Sequence, residues 1–192
     1  MIEKRGKHLY RSSGIIFSTV ELRNILNASR SNPKHFTWIR ILLHFGLKID
    51  ELISLRRDDV DLKNRILTVR AADGKSIRTL DIPLCLWNDF WNSASGKTDE
   101  EYLFPGRNGR LHRKTVQKMI RKLEILTGLK ITLAKIRQTI AVRLYQNGVS
   151  ISFIASFFGF RSLQAARRLI VVEVKPPAVK RIFIEEIMDL GA

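Results

Sequence analysis

The sequence predicts a mainly α-helical fold with one small antiparallel β-sheet, an α+β arrangement. Three observations carry that expectation. Apolar residues recur at helical spacing through most of the chain, as in Phe36, Ile39, Leu42, Leu43 and Phe45. One pair of short segments, Ile66 to Val69 and Ile77 to Ile82, flanks Asp73-Gly74, the signature of a β-hairpin. Turn residues punctuate the runs, at Asn32-Pro33, Gly46, Pro83 and Asn147-Gly148.

Taken in order, residues 1–16 are basic and then small, and read as a flexible N-terminal arm. Ser18-Thr19-Val20-Glu21 is a capping box, with Phe17 placed to act as a hydrophobic staple. A short helix follows, bearing Val20, Ile25 and Leu26. Asn32-Pro33 breaks it and starts a second helix that stops at Gly46. A third runs from about Asp50 through Leu55. After the acidic cluster at Asp58 to Asp61, Leu62 to Arg65 is a turn into the hairpin. Pro83 closes the second strand, and Leu84 to Trp91 is helical. Tyr102 to Pro105 is extended, Gly106 to Arg110 turns, and Thr115 to Leu126 is an amphipathic helix with Val116, Met119, Ile120 and Leu123 inward. Residues 17–170 therefore form the main domain. Residues 171–192 form a tail: a strand at Val171 to Val174, a diproline stop, and a last helix from Val179 to Leu190.

At 192 residues and 45% apolar content the chain has ample material for one core. The net charge of +16 and a pI near 10.6 point to a polyanionic partner, nucleic acid above all. Cys85 is the single cysteine, which excludes an intrachain disulfide and fits a reducing cytoplasm. No run is long and apolar enough for a signal peptide or a membrane span, so no membrane partner is expected. The histidines His8, His35, His44 and His112 are scattered, leaving no zinc spacing, and neither a metal nor a cofactor is expected. Gly96-Lys97-Thr98 mimics the end of a phosphate-binding loop, but Trp91 stands where its first glycine belongs.

The basic charge is concentrated. From Pro105 to Arg143 there are eleven Lys or Arg against one acid, Glu124, and no acid occurs between Ile125 and Val172. Within that region Thr132 to Ile170 combines apolar helical faces with Lys135, Arg137, Arg143, Arg161, Arg167 and Arg168. Helices apolar on one side and only basic on the other are suited to facing phosphates.

The motifs in this stretch give the chain a family resemblance. Ala134-Lys135-Ile136-Arg137-Gln138-Thr139, then Phe158-Gly159-Phe160, resembles the catalytic domain of the tyrosine recombinases, or phage integrases. Those proteins carry H-x-L-R-H-T, then L-G-H or L-G-W, then a nucleophilic tyrosine about nine residues on. Upstream, Phe45-Gly46-Leu47-Lys48-Ile49-Asp50-Glu51-Leu52 is similar to the family's T-G-L-R-x-x-E-L. The family's hairpin lysine, counted back from the proline of Ile82-Pro83-Leu84, falls on Lys75. The resemblance spans about Phe17 to Ile170 and implies the fold of that domain.

By the same resemblance several catalytic positions are altered. Lys48 stands for the first arginine and offers a point charge in place of a planar fork of donors. Arg137 matches the second arginine, Ala134 and Gln138 replace its flanking donors, Phe160 replaces an imidazole or indole, and Leu169 falls at the nucleophile position. Loss of one oxyanion donor typically costs about 10²–10³ in rate, and loss of the attacking hydroxyl is more absolute. The expectation is a DNA-binding recombinase homologue, nucleoid-associated, that grips duplex or branched DNA without enzymatic activity. Lys48, Lys75, Arg113, Lys114, Lys135, Arg137, Arg143 and Arg161 are its candidate phosphate contacts. Two alternatives stand beside it. One is an active recombinase using an unaligned nucleophile, with Tyr10 and Tyr145 as candidates. The other is an accessory subunit that joins a second copy or an active recombinase through the Val179 to Leu190 helix.

Overall fold

In a computed structural model, residues 16–71 and 76–170 are described. Eight helices and two small antiparallel sheets build these residues. α1 (Thr19–Ser29), α2 (Pro33–Phe45) and α3 (Ile49–Ser54) come first, then β1 (Val60–Asp61), β2 (Ile66–Arg70) and β3 (Ser76–Asp81). α4 (Leu84–Ala94) leads to the two-residue strands β4 (Pro105–Gly106) and β5 (Gly109–Arg110). α5 (Arg113–Thr127), α6 (Leu133–Gln146), α7 (Ile151–Phe157) and α8 (Leu163–Leu169) complete the order. Among the described residues no helix is long and apolar enough to cross a membrane. No cluster of three or more metal-binding side chains occurs among them either. The expected arm, hairpin tip and C-terminal helix lie outside the described residues.

The helix boundaries follow from local chemistry. Ser18 Oγ accepts from the Glu21 N–H at 3.2 Å while Glu21 Oε2 accepts from the Ser18 N–H at 2.7 Å, completing the capping box. Phe17 and Leu22, the two staple positions, are fully buried. Asn32 caps α2 through its side chain, with Pro33 in the first turn, where its missing N–H costs nothing. Gly46 ends α2 in the left-handed region at φ +56, and a Cβ there would come within 2.5 Å of the Phe158 ring. The Thr132, Ser150 and Ser162 side chains each accept the backbone N–H three residues on, capping α6, α7 and α8.

β1, β2 and β3 form one meander in that order. β2 pairs with β3 from Ile66 opposite Asp81 to Val69 opposite Arg78, and the register shifts at Arg70. β1 was hidden in sequence because two residues inside an acidic cluster carry no periodicity; Val60 pairs with Leu67. Tyr102 to Pro105 is less regular than expected, with a single bridge from Tyr102 to Arg56 before β4 begins at Pro105. The core runs through all the helices and the inner face of the sheet, with Phe17, Phe45, Phe90 and Phe158 among its largest fully buried side chains. α6 lies centrally, against α2, α7 and α8.

One strap ties the chain's entry to α6. Phe17 N–H donates to Thr139 Oγ1 at 2.9 Å, and Arg143 donates to Phe17 O and Thr19 Oγ1 at 3.3 and 3.1 Å. Lys135 Nζ sits 4.3 Å from the centre of the Phe17 ring. Lys135, Thr139 and Arg143 are spaced four apart, so one stripe of α6 holds the start of α1.

Candidate nucleic-acid interface

Arg137 projects from the middle of α6, and its residue is only 9% exposed. Its Nη1 donates to the Gly46 carbonyl at 2.7 Å, an acceptor left open by the end of α2. The guanidinium carbon lies 4.7 Å from the Phe158 ring centre and 5.5 Å from that of Phe160. A delocalised cation packed against two neighbouring rings is oriented without being neutralised. Burial pulls Arg137 below the usual guanidinium pKa, Glu51 opposes that shift and Arg78 adds to it. The group stays charged at any physiological pH. Among the described residues the one fully buried side-chain nitrogen or oxygen with no partner is Arg78 Nε. The Gly46 carbonyl accounts for one of the five guanidinium N–H groups of Arg137.

Beneath this group lies an ion pair that sequence reading missed. Arg78 Nη1 and Nη2 donate to Glu51 Oε1 and Oε2 at 3.0 and 3.1 Å, with side-chain exposures of 3% and 7%. Glu51 Oε2 also accepts from the Lys48 N–H at 2.8 Å. Burial opposes ionisation of Glu51, but the Arg78 and Lys48 hydrogen bonds outweigh it and hold the carboxyl below the usual range. The signal for Arg78 was present: it shares a strand face with Leu80 and Ile82, so strict alternation turns it inward.

α5 supplies the broadest run of cations. Val116, Met119 and Leu123 are buried, while Lys114, Lys118, Arg121 and Lys122 are exposed on the other side. The helix's one acid, Glu124, caps the Ile131 N–H at 2.9 Å. Lys118, Arg121 and Lys122 were counted in the basic stretch but not singled out; their spacing with Lys114 at i, i+4, i+7 and i+8 is the signal. Arg113 joins this face to Arg137's neighbourhood. It donates to both carboxylate oxygens of Asp50 at 3.1 and 2.8 Å, and Asp50 lies in the first turn of α3, two residues from Lys48.

The remaining sequence-predicted residues are placed variously. Lys48 is exposed at the start of α3, and Arg161 is exposed in the α7–α8 turn. Arg161, Ser162 and Phe160 line an open groove of about 630 Å³ with Ile77 and Ser152. Ala134 is exposed one turn before Arg137, and Leu169 is half-buried against the core. Lys135 and Arg143 are engaged by the α1 strap. Lys75 lies outside the described residues, as does Tyr10. Tyr102 sits under the Arg56 guanidinium at 4.9 Å, and Tyr145 is partly buried against the core.

Comparison with known proteins places this geometry. Residues 17–172 match the model of the phage integrase family. A tyrosine recombinase of Pseudothermotoga lettingae is 29% identical over 147 residues, which are 74% of this chain and 51% of that protein. The tyrosine recombinase XerA of Thermococcus kodakarensis is 27% identical over 177 residues, 88% of this chain and 63% of its own. A crystal structure of XerA recombinase superposes with a TM-score of 0.73 at 27% identity, covering 83% of this chain and 61% of that one. The site-specific recombinase XerH bound to its difH substrate shares the fold, with a TM-score of 0.68 at 18% identity over 83% of this chain and 51% of that one. The chain thus spans between half and under two thirds of each of these four proteins. One expectation is overturned here. The altered motif positions argue for a chain without enzymatic activity, but the relatives are named recombinases, which are enzymes. Nothing in the described residues shows this chain to be inactive.

Proposed function

Since the chain belongs to the phage integrase family, we propose that it acts on DNA in recombination, gripping backbone phosphates with Arg137 at the centre of its contact surface. The observation that carries this reading is the state of Arg137: its guanidinium is held by the Gly46 carbonyl and packed against two rings, and the Gly46 bond accounts for one of its five N–H donors. A buried, preoriented fork of N–H donors suits a phosphodiester oxygen pair, and holding it in place beforehand avoids the entropy cost of ordering a long side chain on binding. Lys48 and the α5 cations Lys114, Lys118, Arg121 and Lys122 extend the surface along a duplex. Arg113 exchanges Asp50 for phosphate at little cost, because an exposed ion pair contributes little. Lys75 and Arg161 are further phosphate contacts in this reading. With DNA as the partner, the nucleoid is the site of action.

Fluorescence anisotropy on a labelled duplex and a four-way junction, each across a salt series, tests the proposal. Each phosphate neutralised lowers log K by roughly 0.9 per decade of salt. Lys48, Lys114, Lys118, Arg121, Lys122 and Arg137 together then give a slope on the order of −5. Arg137→Ala weakens binding to all sequences alike and flattens the slope by about 1. No affinity at low salt, or an Arg137→Ala variant with unchanged affinity and slope, refutes the reading.

A further inference from the structure

Arg78 is a buried arginine, its side chain only 3% exposed. Both Nη atoms are spent on Glu51, and its Nε is fully buried with no acceptor. Such a pair gains little over apolar residues of the same volume, because desolvating the two charges offsets their attraction, and an orphaned N–H adds a further cost. What the pair provides is position, and its contacts show what is positioned.

Arg78 reaches both walls that hold Arg137. On one side it fixes the Glu51 carboxylate, which in turn holds the Lys48 N–H at 2.8 Å. Lys48 is two residues beyond Gly46, whose carbonyl is the Arg137 acceptor. On the other side Arg78 lies against the α7–α8 turn. A Cβ added at Gly159 would come within 3.0 Å of Arg78 Nη1 and 2.6 Å of Ile77 Cγ2, so the turn sits directly on this arginine. Gly159 separates Phe158 from Phe160, the two rings beside Arg137. The φ of +66 at Gly159 lets the backbone approach that closely.

We infer that Arg78 is a positioning residue for the phosphate site: through Glu51 on α3 and Gly159 in the α7–α8 turn it sets the acceptor and the aromatic walls that aim Arg137. Arg78 itself touches no phosphate, since its side chain is 3% exposed. The inference rests on Arg137 facing DNA, as proposed above, and its test reads the two ideas separately.

The variant is Arg78→Met with Glu51→Gln, which removes the charge pair without stranding a carboxylate. Thermal unfolding, the Arg137 Nε–Hε cross-peak in NMR spectra of the free protein, and DNA affinity are measured together. The expected result is a folded protein whose Arg137 cross-peak has moved or broadened and whose DNA affinity is about tenfold weaker. Adding Arg137→Ala to that variant should then cost little more, because the two changes act on one site. Arg78→Lys, which keeps the charge but loses the fork, should give an intermediate loss and serves if the double variant does not fold. A folded variant with the wild-type Arg137 cross-peak and wild-type affinity overturns the inference, as do losses that add fully to Arg137→Ala. If Arg137→Ala alone leaves DNA binding intact, the DNA reading of Arg137 fails, while the cross-peak still reports whether Arg78 positions it.

Discussion

His44 should make the fold acid-sensitive well above the range where carboxylates titrate. It stands in the last turn of α2, fully buried, with Nδ1 2.7 Å from Arg40 O and Nε2 3.5 Å from Cys85 Sγ. Burial pushes its pKa down from 6.5 to about 4; the hydrogen bond to Arg40 O opposes that, and the Arg40 charge adds to it. The folded state therefore holds a neutral imidazole where the unfolded chain binds a proton below pH 6.5. The contribution is whole above the unfolded pKa and is lost as pH falls toward the folded one. At 1.36 kcal/mol per unit, a shift from 6.5 to about 4 makes the loss between pH 7 and pH 4.5 on the order of 2–3 kcal/mol. That is a large part of a typical domain's stability of roughly 5–15 kcal/mol. His35 is lowered by partial burial and then by Lys122, so it acts in the same direction. Urea unfolding of the wild type and of His44→Leu at pH 7, 6, 5.5 and 4.5 isolates the His44 share. The wild type should lose on the order of 2–3 kcal/mol more than the variant over that range. Parallel pH profiles for the two proteins would refute the assignment of a buried neutral imidazole.

Three further outcomes follow from particular contacts. Thr139→Val removes the acceptor of the buried Phe17 N–H, and unfolding titrations should show a cost of about 1–3 kcal/mol. Gly46→Ala forces a Cβ to within 2.5 Å of the buried Phe158 ring at a positive φ, and should cost more than the ~1 kcal/mol of the backbone conformation alone, measured as a fall in Tm. Replacing Lys118, Arg121 and Lys122 together by alanine should leave Tm nearly unchanged and reduce the salt slope of DNA binding by about 2.7; an unchanged slope would remove α5 from the interface.

Much of the fold was legible because local chemistry and global packing agree. The Ser18 box, the Asn32-Pro33 start and the Gly46 stop each act within a few residues, so periodicity and caps located α1 and α2 without help from the rest. The hairpin was equally local. β1 was not, because a two-residue strand exists only by virtue of the partner it pairs with. The motif frame likewise placed Lys48, Arg137 and Gly159 in sequence, but motif positions alone argued for an inert chain, and kinship with named recombinases removed that inference.

By itself, then, the sequence determined the helix order and the basic stretch, and it singled out Arg137 as a candidate phosphate contact. Tertiary structure decided which cations are committed. Lys135 and Arg143 lie as near to Arg137 in sequence as any cation singled out, yet α6 turns them toward Phe17 and Thr19, about a hundred and twenty positions away. Arg78, on a strand that sequence alone left unremarkable, lies beneath the site because β3 and α3 meet there, 27 positions apart. The physical reason is that charge is written residue by residue, whereas the partner that spends it is chosen by packing between elements distant in the chain.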